Sequence, residues 1–132
     1  MLISLQARDI NYGNVKVDVI SSVYDGDTFR VTISGYPNVV GERIPVRVNG
    51  IDTPEMRGKC SKEKELARKA KQFTVSKLRN ASAIELKNMK RGKYFRIVAD
   101  VYIDGKNLGD ELFNNGLAVR YDGGKKSKDW CK

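Results

Sequence analysis

Histidine is absent from this sequence of 132 residues. Its absence excludes catalysis by an imidazole base, a Ser-His-Asp triad and any zinc site that contains histidine. Cysteine is also scarce, and the two residues present, Cys60 and Cys131, cannot form a four-thiolate zinc site within one chain. Catalysis is therefore left to Asp, Glu, Lys, Arg and Tyr. A bound metal ion would have oxygen ligands, which points to Ca²⁺, with Mg²⁺ and Mn²⁺ as alternatives.

Long apolar runs are missing as well. No apolar stretch approaches the roughly 20 residues that a membrane-spanning helix needs. Residues 1–10 have neither a basic start nor a long apolar segment, so no signal peptide is visible. We therefore expect no membrane partner.

Negative charge is in deficit. The 25 Lys and Arg residues outnumber the 16 Asp and Glu residues, so the net charge is +9. Such an excess on a short chain suggests a polyanionic partner, nucleic acid above all, although a basic soluble protein without such a partner is the alternative. The length fits a single domain over residues 1–132, with a core at about 15–121 and an irregular Gly- and Lys-rich tail at 122–132.

Five short segments have the alternating or β-branched pattern of strands, namely residues 15–24, 28–33, 44–51, 83–89 and 94–103. Ser61 is predicted to cap a helix after the third strand, and Asn107 to cap a second helix that ends near Gly116. This order fits an α+β, mainly β fold with two helices, a small antiparallel five-stranded barrel of the OB type. Such barrels bind oligonucleotides across one face.

Two acidic clusters stand out in this basic chain: Asp-Gly-Asp-Thr at residues 25–28 and Asp-Thr-Pro-Glu at 52–55, with Arg47 shortly before the second. Carboxylate oxygens can hold a hard cation, a guanidinium can bind a phosphate diester, and a further carboxylate can orient or deprotonate water. Together these residues predict a metal-dependent phosphodiesterase. Each also has a structural interpretation, because 25–28 is a typical hairpin turn and Arg47 could pair with Glu42 or Asp52.

Four blocks in order resemble the staphylococcal nuclease family: Asp-Gly-Asp-Thr at 25–28, Arg47, Asp-Thr-Pro-Glu at 52–55, and Lys-Tyr-Phe-Arg at 93–96. The match spans about residues 15–121. The resemblance implies an OB barrel, one Ca²⁺ ion as cofactor, and DNA and RNA as partners. It also implies hydrolysis that leaves 3′-phosphate and 5′-hydroxyl ends.

The resemblance further implies a role for each matching residue. The catalytic residues are Arg47, Glu55 and Arg96, the arginines binding the scissile phosphate and the glutamate acting on water as general base or orienting group. The metal ligands are Asp27, Asp52 and the backbone carbonyl of Thr53, with Asp25 near the metal rather than on it. The nucleotide-binding residues are Lys93, Tyr94 and Tyr121.

The chain departs from the family pattern in three places, one of which is a shorter segment between Glu55 and the first helix. The family's Asp-Lys-Tyr-Gly-Arg block is Gly-Lys-Tyr-Phe-Arg at residues 92–96, so the geometry of this loop is open. The long C-terminal helix of the best-known member is absent. A disulfide between Cys60 and Cys131 could tether the tail instead, although two reduced thiols are equally compatible with the sequence.

The main hypothesis is a monomeric, calcium-dependent, sugar-nonspecific nuclease. One alternative is a non-catalytic nucleic-acid-binding module of the same fold. Another is a Mg²⁺ nuclease with two metal ions, held by Asp25, Asp27, Asp52 and Glu55. We expect a secreted or periplasmic protein whose signal peptide is absent from this sequence, because such an enzyme endangers the cell's own nucleic acid and a cysteine pair suits an oxidising space. A phage- or plasmid-encoded intracellular enzyme is the alternative.

Overall fold

The computed structural model of the protein describes residues 10–132 and is built mainly of β-strands. The strands are β1 (Val15–Lys16), β2 (Val19–Asp25), β3 (Thr28–Thr32), β4 (Ile44–Val48), β5 (Ile51–Asp52), β6 (Ile84–Arg91), β7 (Ile97–Ile103), β8 (Lys106–Asn107) and β9 (Val119–Arg120). The helices are α1 (Asn38–Gly41), α2 (Ser61–Arg79) and α3 (Leu108–Asn114). Within residues 10–132, none of the helices has the length and apolar character needed to cross a membrane.

The main sheet is curled, and the short segment between β1 and β2 hydrogen-bonds to a strand near each end of the sheet. Its order is β1-β6-β7-β4-β3-β2, which places β1 and β2 at opposite ends. Between them, the amide of Val17 donates to the carbonyl of Ile84 in β6 (2.9 Å) and the amide of Asp18 donates to the carbonyl of Thr32 in β3 (3.4 Å). This mainly β arrangement confirms the predicted OB-type fold. The first predicted strand corresponds to β1 and β2 together, and the other four correspond to β3, β4, β6 and β7.

One strand pair shows that the expectation of a wholly antiparallel barrel was wrong. β4 and β7 pair in parallel, with Arg47 opposite Val98. Parallel neighbours need a long crossover connection instead of a tight turn. Here the crossover contains α2 and β6, and α2 packs against β2.

Strand limits differ from the prediction where the backbone takes a left-handed conformation. The third predicted strand, residues 44–51, is split into β4 and β5 because Gly50 has φ +82°. The strand predicted to begin at Tyr94 begins at Ile97, because Tyr94 and Phe95 each have φ +57°. Such backbone angles are incompatible with regular strand pairing.

Helix starts follow side-chain capping. Asn107 caps α3 as predicted, its Oδ1 accepting a hydrogen bond from the amide of Asp110 (3.0 Å). In α2 the prediction was wrong by one residue, because Cys60 and not Ser61 is the cap, its Sγ accepting from the amide of Glu63 (3.4 Å). The single-turn helix α1 is a third helix that was not predicted, since one turn leaves no periodic pattern.

The core lies between the sheet and the inner faces of α2 and α3. Its largest fully buried apolar side chains are Phe29, Val31, Ile33, Val46, Val48, Ile51, Leu86, Val101, Leu108 and Leu112. Gly26, in the turn between β2 and β3, packs closely on α2: a Cβ atom there would lie 2.8 Å from Cβ of Ala70. The acidic turn is thereby held against the helix.

Candidate active site

Three aspartates are buried together on the barrel, each at most 8% exposed: Asp25, Asp27 and Asp52. Asp25 ends β2, Asp27 lies in the turn before β3, and Asp52 ends β5. The pairing of β3 with β4 sets Thr28 opposite Arg47, which brings the arginine beside the acidic turn.

Backbone amides of the loop that follows β5 donate to two of these carboxylates. The amide of Thr53 donates to Asp27 Oδ2 (3.1 Å), and the amide of Met56 donates to Asp25 Oδ1 (3.1 Å). The hydroxyl of Thr28 donates to the other oxygen of Asp27 (2.9 Å). The two acidic clusters of the sequence therefore lie together, although Asp27 and Thr53 are 26 positions apart in the chain.

Arg47 forms a buried ion pair with the aspartates. Its Nη1 lies 2.8 Å from Asp27 Oδ2, and its Nη2 lies 3.6 Å from Asp52 Oδ1. Nη1 also donates to the carbonyl of Ile51 (3.0 Å). The salt bridge between Arg47 and Asp52 that the sequence left open is thus present, and the guanidinium lies between the two expected metal ligands.

Lys126, from the tail at residues 122–132, adds a positive charge that contacts two acidic residues of the site. Its Nζ lies 3.0 Å from Asp52 Oδ1 and 3.0 Å from Glu55 Oε1. Burial lowers the pKa of Lys126, but the hydrogen bonds to Glu55 and Asp52 outweigh that effect and raise the pKa above its usual value. Sequence reasoning missed this residue because it stands in a Lys-rich stretch without a pattern.

Two of the buried carboxyls, those of Asp25 and Asp52, have a raised pKa and are harder to ionise than free ones. Burial raises the pKa of Asp25 from 3.8 to about 6, with the hydrogen bond from Met56 opposing the rise and the charges of Asp27 and Glu55 adding to it. Burial also raises the pKa of Asp52, although its contact with Lys126 opposes the rise. Carboxylates in such a cluster are stabilised by a cation placed among them.

A cavity of about 290 Å³ opens at these groups. It brings together seven of the charged and aromatic residues already discussed: Asp25, Asp27, Arg47, Glu55, Arg96, Tyr121 and Lys126. Arg96 Nε is buried and has no hydrogen-bond partner among the residues that the structure describes. A buried guanidinium donor without a partner at a cavity wall is suited to an anionic ligand such as a phosphate.

The remaining predicted residues are not part of the lining of this cavity. Asp52 and Thr53 are buried, and Asp52 contacts both Arg47 and Lys126. Lys93 lines an adjoining cavity of about 640 Å³ that shares Arg47, Arg96 and Tyr121 with the first. Tyr94 is 90% exposed and lines neither cavity, so it stands apart from the residues with which it was grouped.

The donor chemistry fits a hard divalent cation. Within residues 10–132, no three acidic or thiol side chains are gathered at metal-binding distances. The expected ligand set, however, has only two carboxylates, Asp27 and Asp52, together with the carbonyl of Thr53, and water commonly fills the other positions around Ca²⁺. Asp52 Oδ1 is buried, and its partners are cationic groups, Lys126 Nζ at 3.0 Å and Arg47 Nη2 at 3.6 Å. An oxygen of this kind suits metal ligation.

The tail is anchored beside the site. Cys60 and Cys131 form a disulfide, with their Cα atoms 6.0 Å apart. Trp130 is buried, and Lys62 Nζ donates to the carbonyl of Lys132 (2.9 Å). The tail forms neither strand nor helix, yet it is fixed to the start of α2.

Known proteins match this chain over most of its length. The model of the family described as staphylococcal nuclease homologue matches residues 45–130. A probable endonuclease of Schizosaccharomyces pombe is 30% identical over 127 residues, covering 79% of this chain and 55% of the relative. The SPbeta prophage-derived endonuclease YokF of Bacillus subtilis is 35% identical over 106 residues, 77% of this chain and 33% of the relative.

A third relative, endonuclease YncB of Bacillus subtilis, is 33% identical over 97 residues, covering 71% of this chain and 43% of the relative. The chain thus spans about half, or less, of the length of these curated relatives. The matched residues include Arg47, Asp52, Thr53, Glu55 and Arg96. It confirms the resemblance on which the site residues were chosen, and the chain belongs to the staphylococcal nuclease homologue family.

Proposed function

We propose that this protein is a calcium-dependent nuclease that hydrolyses phosphodiester bonds of DNA and RNA, leaving 3′-phosphate and 5′-hydroxyl ends. The observation that carries the proposal is the meeting of Arg47, Glu55 and Arg96 on one cavity that also contains Asp27. Two guanidiniums, a solvent-exposed carboxylate that can act on water and a cation-binding acidic group are what this reaction requires.

The two arginines supply fixed positive charge. A phosphodiester resists attack because its oxygens repel the nucleophile and gain charge in the transition state. Arg96, whose buried Nε has no partner among the described residues, lines the cavity, and Arg47 brings a second guanidinium to the same cavity. Donors preorganised in this way stabilise the charge where it develops.

Glu55 would orient and deprotonate the attacking water. It is the most exposed acid of the site, with a side chain 53% exposed, so water reaches it readily. Asp25 is buried and its Oδ1 accepts a hydrogen bond from the amide of Met56, so water reaches it less readily than it reaches Glu55. Calcium bound by Asp27, Asp52 and the Thr53 carbonyl would add positive charge beside the phosphate.

Arg47 must change partners for this chemistry. In the structure its Nη1 is engaged by Asp27 and by the carbonyl of Ile51. A cation on the aspartates would weaken that ion pair, because both positive groups compete for the same oxygens. Arg47 would then turn toward a phosphate without leaving the site, since β4 holds its backbone.

A digestion series tests the proposal. Supercoiled plasmid, single-stranded DNA and RNA are each incubated with the protein in CaCl₂, in MgCl₂ and in EDTA. We expect cleavage of all three in CaCl₂ and none in EDTA. Fragments should accept phosphate from polynucleotide kinase without prior phosphatase treatment, because their 5′ ends carry hydroxyls. Glu55→Gln, prepared identically, controls for contaminating nucleases.

The other outcomes separate the alternatives. Binding of labelled single-stranded DNA without cleavage in any metal would indicate a nucleic-acid-binding module. Cleavage in MgCl₂ but not in CaCl₂ would indicate the two-metal reaction. Fragments that need phosphatase treatment before labelling would contradict the proposed bond cleavage.

We further propose that the protein acts as a monomer in an oxidising compartment. The disulfide between Cys60 and Cys131 supports the compartment, because structural disulfides persist mainly outside reducing cytosol. Mass determination in solution tests the monomer, and localisation of the native protein by fractionation tests the compartment. A dimer, or a protein confined to the cytosol, would contradict these two points.

A further inference from the structure

The ammonium of Lys126 bridges two carboxylates that a metal ion would also approach. Its Nζ is 3.0 Å from Asp52 Oδ1, an expected metal ligand, and 3.0 Å from Oε1 of Glu55. Asp52 Oδ1 is buried, and the ammonium is its nearest compensating charge. Arg47 Nη2 is farther away, at 3.6 Å.

The chain around Lys126 is anchored on both sides. Before it, the amide of Tyr121 donates to the carbonyl of Gly50 (3.0 Å), next to β5. After it, Cys131 is bonded to Cys60 at the start of α2. A short segment fixed at both ends keeps a group at high effective concentration over its partner. The ammonium is therefore held against the site, unlike a freely moving surface lysine.

We propose that Lys126 is an internal competitor for the metal site, a tethered cation that occupies Asp52 and Glu55 in the metal-free protein and thereby weakens metal binding. The inference rests on the calcium dependence proposed above. A divalent ion on Asp52 and the ammonium of Lys126 would lie a few ångströms apart, where like charges repel strongly in a partly buried site. The metal must displace Lys126 to bind.

The same contact couples metal binding to the availability of Glu55. While Lys126 holds Oε1 of Glu55, that oxygen is occupied by a donor and is less available to a water molecule. Displacement of the ammonium from Asp52 loosens both contacts, because one Nζ atom makes them. Binding of the metal would thus also release the carboxylate of Glu55 from Lys126.

Calcium binding measured by titration calorimetry, without nucleic acid, tests the proposal. Lys126→Met keeps the length and apolar stem of the side chain but removes the charge. We expect it to bind Ca²⁺ about five- to thirtyfold more tightly than the unaltered protein, the effect of removing two partly exposed ion pairs. Lys126→Arg keeps the charge and should stay within about threefold of the unaltered protein.

Lys125→Met is the matched control. It removes the same charge from the neighbouring position of the tail, and Lys125 forms no salt bridge among the residues that the structure describes. A shift below about twofold is expected, because exposed charges without contact are screened by salt. Equal tightening by Lys125→Met and Lys126→Met would overturn the proposal, since the effect would then be one of net charge.

Two other results would overturn it. An unchanged or weaker calcium affinity in Lys126→Met would mean that Lys126 supports the ligands instead of competing with the metal. No calcium binding by any of these proteins would overturn both this inference and the proposed calcium dependence, whereas equal binding by all would leave the proposed function intact.

The disulfide that anchors the tail is tested by a separate set of variants. The double variant Cys60→Ser with Cys131→Ser frees the tail, so it should also tighten calcium binding, but by less than Lys126→Met. Adding Lys126→Met to it should bring the affinity only to that of Lys126→Met alone, because both changes remove one contact. Fully additive effects would show that the disulfide does not act through Lys126, and would overturn this part.

Discussion

The hydroxyl of Thr74 donates a 2.6 Å hydrogen bond to the carbonyl oxygen of Gly26. Thr74 is fully buried on the inner face of α2, and Gly26 stands between the two aspartates of the acidic turn. A side chain of the helix thus fixes the backbone that presents Asp25 and Asp27. The position of these carboxylates depends on helix packing as much as on the strands.

Thr74→Val should lower the free energy of unfolding by about 1–3 kcal/mol, because it leaves the buried carbonyl of Gly26 without its donor. Urea denaturation in EDTA measures the change. Ser76→Ala, at an exposed position of the same helix, should change stability by less than about 0.5 kcal/mol. A Thr74→Val protein as stable as the unaltered one would contradict the anchoring role.

Gly26→Ala should lower stability by about 1–3 kcal/mol, because its Cβ would lie 2.8 Å from Cβ of Ala70 and force α2 and the acidic turn apart. The second change Ala70→Gly removes that Cβ neighbour. The double variant should therefore be more stable than the sum of the two single effects predicts. Strict additivity in denaturation experiments would exclude the clash as the cause.

Glu55→Gln should reduce turnover by about 100- to 10,000-fold, because the amide cannot deprotonate water. Stability should hardly change, since Glu55 is exposed and its ion pair with Lys126 is at the surface. Initial rates on single-stranded DNA in CaCl₂ measure the effect. Glu42→Gln, also at an exposed position, should keep full activity. Retention of activity in Glu55→Gln would remove the glutamate from the mechanism.

Arg47→Gln should lower stability in EDTA by about 2–4 kcal/mol, because Asp27 and Asp52 lose the buried guanidinium between them. Added CaCl₂ should stabilise the variant more than it stabilises the unaltered protein, since a divalent cation replaces the missing charge. Thermal unfolding in the two buffers makes the comparison. Equal stability of both proteins in EDTA would contradict the buried pair.

Stability should depend on the ionisation of Asp25. Burial raises its pKa from 3.8 to about 6, and Asp27, Glu55 and Lys126 are the charged groups nearby. Below pH 3.8 the carboxyl is protonated in both states and contributes no penalty. As pH rises from 3.8 to about 6 only the unfolded state ionises, so the folded state loses up to about 3 kcal/mol relative to it.

Asp25→Asn tests this pH dependence. Its side-chain oxygen can still accept the hydrogen bond from Met56, but it does not ionise. In EDTA the variant should be more stable than the unaltered protein at pH 7.5, and the difference should vanish near pH 4. Urea denaturation across this range gives the profile. A difference that is independent of pH would assign the effect to something other than ionisation.

The fold could be predicted from the sequence because it depends on local signals, whereas most residues of the cavity were expected there only from the family resemblance. The turn at residues 25–28 and the cap at Asn107 are both short-range patterns. Alternation in the strands then specifies which side chains face the core. Arg47 and Asp27 meet because the hairpin and the next strand follow one another in the chain, so their pairing is the simplest one.

Other features depend on contacts that no local pattern records. The contact between Lys126 and Glu55 joins positions 71 residues apart, in a stretch that reads as solvated tail. Cys60 caps α2 although Ser61 is the better capping residue by type. Phe95 takes φ +57°, a conformation that favours glycine, at the position where the family has glycine. Tertiary context decides each of these cases.

The disulfide between Cys60 and Cys131 also bears on what happens if a protease cuts the protein. The turn at residues 92–96 lies inside the covalent loop that this bond closes, and Tyr94 at its tip is 90% exposed. A single cut there would leave the two fragments covalently joined. Arg47 and Glu55 would be on one fragment, and Arg96 and Lys126 on the other. A nicked molecule would therefore keep every charged group of the cavity in one particle, and separating them would require reduction as well as proteolysis.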